Sequence, residues 1–165
     1  MTRRAARMAL AASLVLALSD CIHPLYGPNG VNAQLAQIEV APIADRVGHY
    51  LAEELKFQTD GSGEPQPRRY RLTVTTTESA GGLIVNLHTL SSDSASVTIY
   101  GTYSLVEIAS GKEIVKGTVN AVASYDRSPQ RFANVRAARD AEIRAATLLA
   151  EQIKTRLGIA LLEQK

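Results

Sequence analysis

Cysteine and tryptophan are the scarcest residue types in this sequence, which has one cysteine, Cys21, and no tryptophan. A single cysteine cannot form a disulfide bond within the chain, so the stability of the fold must come from packing. Aromatic residues make up only 5% of the sequence, so they cannot dominate a core. We therefore expect a core of leucine, isoleucine, valine and alanine side chains.

The sequence also lacks the short motifs of common enzyme classes. It contains no G-x-S-x-G elbow, no P-loop and no G-x-G-x-x-G motif after a strand. The acidic positions Glu53-Glu54 and Asp140 to Glu142 are explained by solvated helix faces. His49 and Glu53 have the i, i+4 spacing that can present two metal ligands, but no third ligand is evident nearby. We therefore predict that the protein is not an enzyme and binds no metal or other cofactor.

Long apolar runs are absent after the first 18 residues. Arg3, Arg4 and Arg7 precede a largely apolar run of eleven residues, 8–18. This pattern predicts a secretory signal, because the run is too short to cross about 30 Å of hydrocarbon as a helix. No A-x-A cleavage site follows the run.

The run is followed by Leu18-Ser19-Asp20-Cys21, which resembles the bacterial lipobox. In that motif the cysteine is acylated and becomes the mature N-terminus. Asp20 departs from the motif, which normally has Gly, Ala or Ser before the cysteine. We predict that residues 1–20 are a lipoprotein signal peptide and that Cys21 carries a covalent lipid. The alternative is an ordinary signal whose cleavage leaves one free thiol.

Without the predicted signal, the sequence has equal numbers of basic and acidic residues. The whole chain has 18 basic and 16 acidic residues, and residues 1–20 hold three arginines and one aspartate. The remainder therefore has 15 residues of each sign and a net charge of zero. This balance gives no support to nucleic-acid binding, and we expect no nucleic-acid partner.

The rest of the chain divides into a tether and one domain. Residues 21–36 include Pro24, Gly27, Pro28 and Gly30, which oppose regular structure and predict a tether. Residues 37–165 are numerous enough for a single domain. The predicted elements are a strand at 38–41, a helix with N-cap Asp45, a loop at 60–67, a strand from Tyr70 with a break or bulge at 80–82, a strand at 97–105, a turn at 110–112 with positive φ at Gly111, a strand at 115–125 and a helix at about 130–162.

Each predicted strand has one apolar face and one face rich in threonine and serine. This pattern predicts an α+β fold, a two-layer sandwich with two helices on one face of a four-stranded, mostly antiparallel sheet. The polar sheet face is then open to solvent or to a partner. On the last helix, an apolar stripe runs from Val135 to Leu161. Arg139 and Glu142 fall on this stripe near its N-terminal end, so we expect that end to be less buried.

Three blocks of the sequence resemble one known family. They are Cys21-Ile22-His23-Pro24-Leu25-Tyr26-Gly27, similar to C-G-F-x-P-L-Y-G but one residue shorter and without Gly-Phe; Ile38, Val40, Pro42, Ile43, Asp45, Arg46 and Gly48, which match I-x-V-x-P-I-x-D-R-x-G; and Ser124-Tyr125, Phe132-Ala133, Asp140-Ala141, Leu149-Ala150, Ile153 and Arg156-Leu157, which match a final strand and long helix. On these blocks the chain resembles the lipopolysaccharide-assembly lipoproteins of the LptE type, in their alphaproteobacterial form.

The resemblance implies the same two-layer fold and a role without catalysis. It implies an outer-membrane lipoprotein that plugs a lipopolysaccharide-translocating β-barrel of the LptD type, assists the assembly of that barrel, and helps deliver lipopolysaccharide to the cell surface. Cys21 would anchor the protein to the periplasmic face of the outer membrane. Ile22 is not the aspartate that marks inner-membrane retention in many enteric bacteria, which favours outer-membrane sorting.

The densest basic cluster, Arg68, Arg69 and Arg71, is the predicted contact for the phosphates of lipopolysaccharide, because guanidinium groups match phosphate bidentately. The alternative is that these arginines protect a strand edge from aggregation. There are two alternative functions. One is a periplasmic envelope lipoprotein that acts as a scaffold for a different protein partner, and the other is an envelope hydrolase whose site the sequence does not reveal.

Overall fold

The computed structural model describes residues 31–60, 66–86 and 91–164. The predicted signal, Cys21 and most of the predicted tether and loop lie outside these residues. The elements, in chain order, are α1 (Val31–Leu35), β1 (Ile38–Val40), α2 (Asp45–Thr59), β2 (Tyr70–Asn86), β3 (Ser91–Glu107), β4 (Glu113–Asp126) and α3 (Arg131–Leu162).

The four strands form one open sheet in the order β1-β2-β3-β4. β1 pairs with β2 in parallel, with Ile38 opposite Tyr70, and the other pairs are antiparallel. The turn between β3 and β4 contains Gly111 at a φ of 68°, as the sequence predicts. The predicted α+β sandwich and its mostly antiparallel sheet are therefore confirmed, and the sheet has β1 and β4 at its two edges.

β2 and β3 are longer than the sequence pattern indicates. β2 continues through Ala80, Gly81 and Gly82 and pairs with β3 along its length. The pairing register shifts between Gly82 and Ile84, so the glycines mark a bulge rather than the end of the strand. The bulge was one of the two predicted alternatives, and hydrogen bonding to β3 maintains the strand beyond it.

The helices cover one face of the sheet, and the core lies between these two layers. Alternate residues of each strand point into this core, since successive side chains of a strand face opposite sides of the sheet. The largest fully buried side chains include Leu35, Ile38, Leu51, Leu55, Leu72, Ile99, Leu105, Leu149, Ile153, Leu157 and Leu161. Aliphatic residues therefore dominate the core, as the scarcity of aromatic residues predicts.

The predicted tether extends too far along the chain. Val31 and Leu35 lie in α1 and are 2% and 1% exposed, and Ala36 is also buried. α1 packs against α3, so residues 31–36 belong to the folded domain rather than to a tether. The reason is the i, i+4 spacing of the two apolar residues, which gives one short helical turn a face that the core can bury.

The start of α2 agrees with the prediction, but its capping does not. α2 begins at Asp45, whereas Ala44 is the N-cap and makes no side-chain hydrogen bond. Asp45 has a φ of 68°, in the left-handed region that aspartate tolerates better than most residues. Gly48 allows the chain before the helix to fold closely over its first turn. A Cβ atom at Gly48 would lie 2.7 Å from Cγ2 of Ile43.

α3 has 32 residues and therefore a length of about 48 Å. Its buried residues begin at Ala141, and Val135 is 61% exposed, so the expectation of a less buried N-terminal part is confirmed for Val135 and Arg139. It is wrong for Glu142, which is 5% exposed and is not on a solvated face. Over the described ranges, no helix is both long and apolar enough to span a membrane.

Candidate interaction surface

The face of the sheet opposite the helices is a continuous polar surface. Its exposed members are Thr73, Thr75, Thr77 and Ser79 on β2, Tyr100 and Thr102 on β3, and Lys116, Thr118, Asn120, Val122 and Ser124 on β4. We call these residues the open sheet face. They alternate along each strand with the buried residues that the helices cover.

The open sheet face carries few charges, and most of its polar groups are hydroxyls. The hydroxyls of Thr102 and Thr118 lie 3.4 Å apart across the β3–β4 pair. At one end of the face, Arg71 donates to Glu39, with 3.2 Å between Nη2 and Oε2. Lys116 adds one exposed ammonium group. This surface can exchange hydrogen bonds with water or with a polar partner.

Side chains of α3 cover the outer edge of β4. Arg144, Gln152 and Arg156 donate to the backbone carbonyls of Ser124, Asn120 and Thr118, with donor–acceptor distances of 3.0, 3.1 and 3.3 Å. The opposite edge begins with β1, which has three residues and pairs only with Tyr70, Arg71 and Leu72 of β2. From Thr73 onward, β2 has no strand partner on this side among the described strands. The covered β4 edge is a poor template for an added strand, so a partner is more easily accommodated on the open sheet face than at that edge.

Arg68, the first residue of the predicted basic cluster, makes hydrogen bonds that connect its own segment with two other segments of the chain. One of its guanidinium nitrogens, Nη1, donates to the backbone oxygens of Ala36 and Ile38 at 3.0 and 2.9 Å. The same nitrogen lies 3.0 Å from Oδ1 of Asp60. This guanidinium therefore fixes the start of β1 beside the chain that enters β2.

Arg69 and Arg71 are paired with carboxylates as well. Arg69 lies 2.9 Å from Glu107 through Nη2, and its guanidinium is 5.3 Å from the centre of the Tyr70 ring. Hydrogen bonds from Ser110 and Arg69 lower the pKa of Glu107 below its ordinary value. Each arginine of the cluster thus has an acidic neighbour inside the protein. Contact of these arginines with lipopolysaccharide stays a prediction.

The most buried charge pair involves residues that the sequence did not single out as partners. Arg46, in the first turn of α2, donates to both carboxylate oxygens of Glu142 on α3, at 3.0 and 2.6 Å. The side chain of Glu142 is 7% exposed and that of Arg46 is 54% exposed. Glu78 on β2 lies near this pair, and partial burial, followed by the charge of Glu142, raises the pKa of Glu78.

The candidate metal pair stays exposed on α2. His49 and Glu53 are both exposed, and a hydrogen bond from Lys56 lowers the pKa of Glu53. In the described part of the chain, no three histidine, cysteine, aspartate or glutamate residues are grouped to hold a metal ion. His49 and Glu53 therefore lie on a solvated face of α2.

Comparison with known proteins gives both a family and a fold. The family model of LptE, described as lipopolysaccharide assembly, matches residues 35–157. A candidate lipoprotein of Caulobacter crescentus CB15 has a similar structure, with 24% identity, a TM-score of 0.66 and coverage of 82% of this chain and 97% of its own. A minor lipoprotein of Acinetobacter baumannii is 18% identical with a TM-score of 0.58, covering 75% of this chain and 92% of its own. Among curated protein sequences, none matches this chain significantly.

Proposed function

The chain belongs to the LptE family of lipopolysaccharide-assembly proteins, and from this premise we propose that it is an outer-membrane lipoprotein that plugs a lipopolysaccharide-translocating β-barrel of the LptD type. In this role it assists the assembly of the barrel and helps to deliver lipopolysaccharide to the cell surface. The family is an assembly family rather than an enzyme family. The proposed activity is therefore binding, without a chemical step.

The open sheet face is the observation that supports this role most strongly. A plug must place a large surface against the inner wall of a barrel, and such walls are polar and wet. Thr75, Thr102 and Thr118 present hydroxyl groups near the middle of this face. Hydroxyls can be hydrogen-bonded by the wall or by trapped water, and they avoid the large desolvation cost of buried charges.

The anchor is the second part of the proposal. Acylated Cys21 would hold the protein at the periplasmic face of the outer membrane. One acyl chain gives only marginal membrane binding, so stable attachment needs the several chains that a lipoprotein carries. Mass spectrometry of the mature N-terminus provides the test. A diacylglyceryl group on Cys21 is the expected result, and an unmodified thiol would contradict the anchor.

Co-purification tests the barrel as the partner. The full chain, extracted in mild detergent from its native envelope, is expected to retain a heat-resistant protein of barrel size. Thr102→Arg places a long cation on the open sheet face and should reduce recovery of that partner. Thr155→Arg is the matched control, because Thr155 is exposed on α3 and its hydroxyl bonds only to the carbonyl of Glu151.

Two results would count against this proposal. Equal recovery of the barrel with Thr102→Arg and with Thr155→Arg would remove the open sheet face from the interface. Recovery of a different envelope protein, and no barrel, would favour the alternative function of a periplasmic scaffold. Circular dichroism of both variants checks that neither substitution unfolds the domain.

A further inference from the structure

The N-terminal part of α3 carries an apolar surface that the domain does not bury. Phe132, Val135, Arg136, Arg139 and Ile143 recur at helical spacing on one face, which we call the α3 stripe. Phe132, Val135 and Ile143 are 74%, 61% and 41% exposed. Together with Asp140 they line an open groove of about 440 Å³. Exposed large apolar groups in contiguous patches are typical of binding sites.

The stripe continues the face of α3 that is buried farther along the helix. Ala146, Ala150 and Leu157 lie on the same face and pack into the core. α2 begins at Asp45, and Arg46 meets α3 at Glu142, so the helical layer beside α3 stops there. The apolar residues of the stripe lie at this point of α3 and beyond it toward the N-terminus, where no other described helix packs over them.

Unpaired arginines gather at this same end of the molecule. In the described structure, Arg46, Arg68, Arg69, Arg71 and Arg144 each have a carboxylate partner. The described arginines that take part in no ion pair are Arg127, Arg131, Arg136, Arg139 and Arg156, and all of them except Arg156 lie at or before the N-terminal part of α3. Asp140 is the acidic residue beside the stripe, and it is bonded to Arg144 at 2.8 Å. The stripe is therefore apolar and positively charged at once.

If the chain is cleaved before Cys21, as we predict, the N-terminal segment that remains is too short to cover the stripe. α1 begins at Val31, which lies against the end of α3 near Gly158. From Gly158 to Val135 the helix rises by about 35 Å, whereas residues 22–30 span at most about 32 Å when fully extended. A second copy of the chain packed stripe against stripe would bring three unpaired arginines against three others, and these like charges would repel. The positive charge of the stripe instead favours an anionic ligand.

We propose that the α3 stripe binds the phosphorylated, acylated part of lipopolysaccharide. Phe132, Val135 and Ile143 would contact acyl chains, and Arg131, Arg136 and Arg139 would bind phosphate oxygens through bidentate hydrogen bonds. The inference rests on the proposed function and adds to it the surface that meets the lipid. This surface is separate from the open sheet face and from the paired arginines 68, 69 and 71.

The experiment measures binding of purified lipopolysaccharide to the full chain in mild detergent. Arg131→Gln/Arg136→Gln/Arg139→Gln removes the unpaired charges, and Phe132→Gln/Val135→Gln removes apolar contact. Each variant is expected to weaken binding about tenfold or more. The matched controls remove exposed basic residues or exposed large apolar residues elsewhere and should stay within about twofold. They are Lys56→Gln/Lys112→Gln/Arg156→Gln and Phe57→Gln/Ile159→Gln.

Dephosphorylated lipopolysaccharide separates the two contributions. On this ligand the arginine triple variant should bind as the unchanged protein does, while Phe132→Gln/Val135→Gln should still bind more weakly. If both stripe variants bind intact lipopolysaccharide as tightly as the controls, the stripe is not the lipid site, and the proposed function is unaffected. If the unchanged protein binds no lipopolysaccharide, direct lipid handling fails as well.

Barrel recovery in the same variants distinguishes a lipid from a protein occupant. The stripe variants are expected to keep the barrel after mild extraction while losing lipid. Loss of the barrel together with unchanged lipid binding would overturn the inference and assign the stripe to an acidic segment of the protein partner.

Discussion

Replacing Arg46 with methionine should destabilise the domain far more than replacing its partner Glu142 with methionine. The two side chains share two hydrogen bonds, but their surroundings differ, because Glu142 is 7% exposed and Arg46 is 54% exposed. Without Arg46, the buried carboxylate of Glu142 loses the one hydrogen-bonding partner that it has among the described residues. Without Glu142, the guanidinium can turn into water.

The expected size of this asymmetry follows from burial. Removing one partner of a fully buried ion pair costs about 3–5 kcal/mol. Because Arg46 is half in water, we expect about 2–3 kcal/mol for Arg46→Met. Glu142→Met fills nearly the same volume with an apolar group and should cost about 1 kcal/mol or less. The double variant should resemble Glu142→Met, which gives a coupling energy of about 2 kcal/mol.

Urea denaturation followed by circular dichroism measures these free energies of unfolding for the four proteins of the cycle. The slope of each transition should stay constant, which shows that the unfolded states expose similar surface. Equal losses for the two single variants, or a coupling energy below about 0.5 kcal/mol, would refute the reasoning. The pair would then be a surface contact without a buried charge to satisfy.

Three smaller predictions concern other contacts, each checked by the same denaturation assay. Gly48→Ala should cost about 1–3 kcal/mol, because the added Cβ would lie 2.7 Å from a side-chain carbon, whereas Gly81→Ala meets no atom within 4 Å and should stay within about 0.5 kcal/mol. Arg68→Gln should cost about 1–2 kcal/mol, since it loses hydrogen bonds to two backbone carbonyls, whereas Arg71→Gln, with one exposed partner, should change stability by less than about 0.5 kcal/mol. Burial raises the pKa of Glu78, so the folded state binds the carboxyl proton of Glu78 more tightly than the unfolded state does, and stability falls as pH rises through this pKa. Glu78→Gln should therefore stabilise the protein more at pH 7 than at pH 4. An equal gain in stability at both pH values would contradict this.

The periodicity of the sequence was sufficient to predict the architecture. Alternation along the strands and the spacing from Leu149 to Leu161 in the last helix report which side chains meet the core, and that information is local. The start of α2 at Asp45 and the positive φ of Gly111 were also predictable, because turn and helix-start chemistry depends on neighbouring residues.

Contacts between distant residues were not predictable in the same way. Arg46 and Glu142 are 96 positions apart, and only the packing of α2 on α3 brings them together. The acid on an apolar stripe was noticed, but its partner has no sequence signal. Arg68 likewise appeared as one member of a basic cluster, and its bonds to Ala36 and Ile38 depend on the parallel pairing of β1 with β2.

The distribution of charge over the surface separates two kinds of binding. A wide contact with a barrel wall would desolvate many groups at once, and each unpaired charge within it would be costly. The open sheet face avoids this cost because hydroxyl groups predominate there. Arg131, Arg136 and Arg139, which have no ion pair in the described structure, lie instead at the N-terminal end of α3, where a small anionic ligand can approach them. Adding a cation to the sheet face, as in Thr102→Arg, should therefore impair barrel assembly and spare lipid binding, whereas removing Arg131, Arg136 and Arg139 should have the opposite effect.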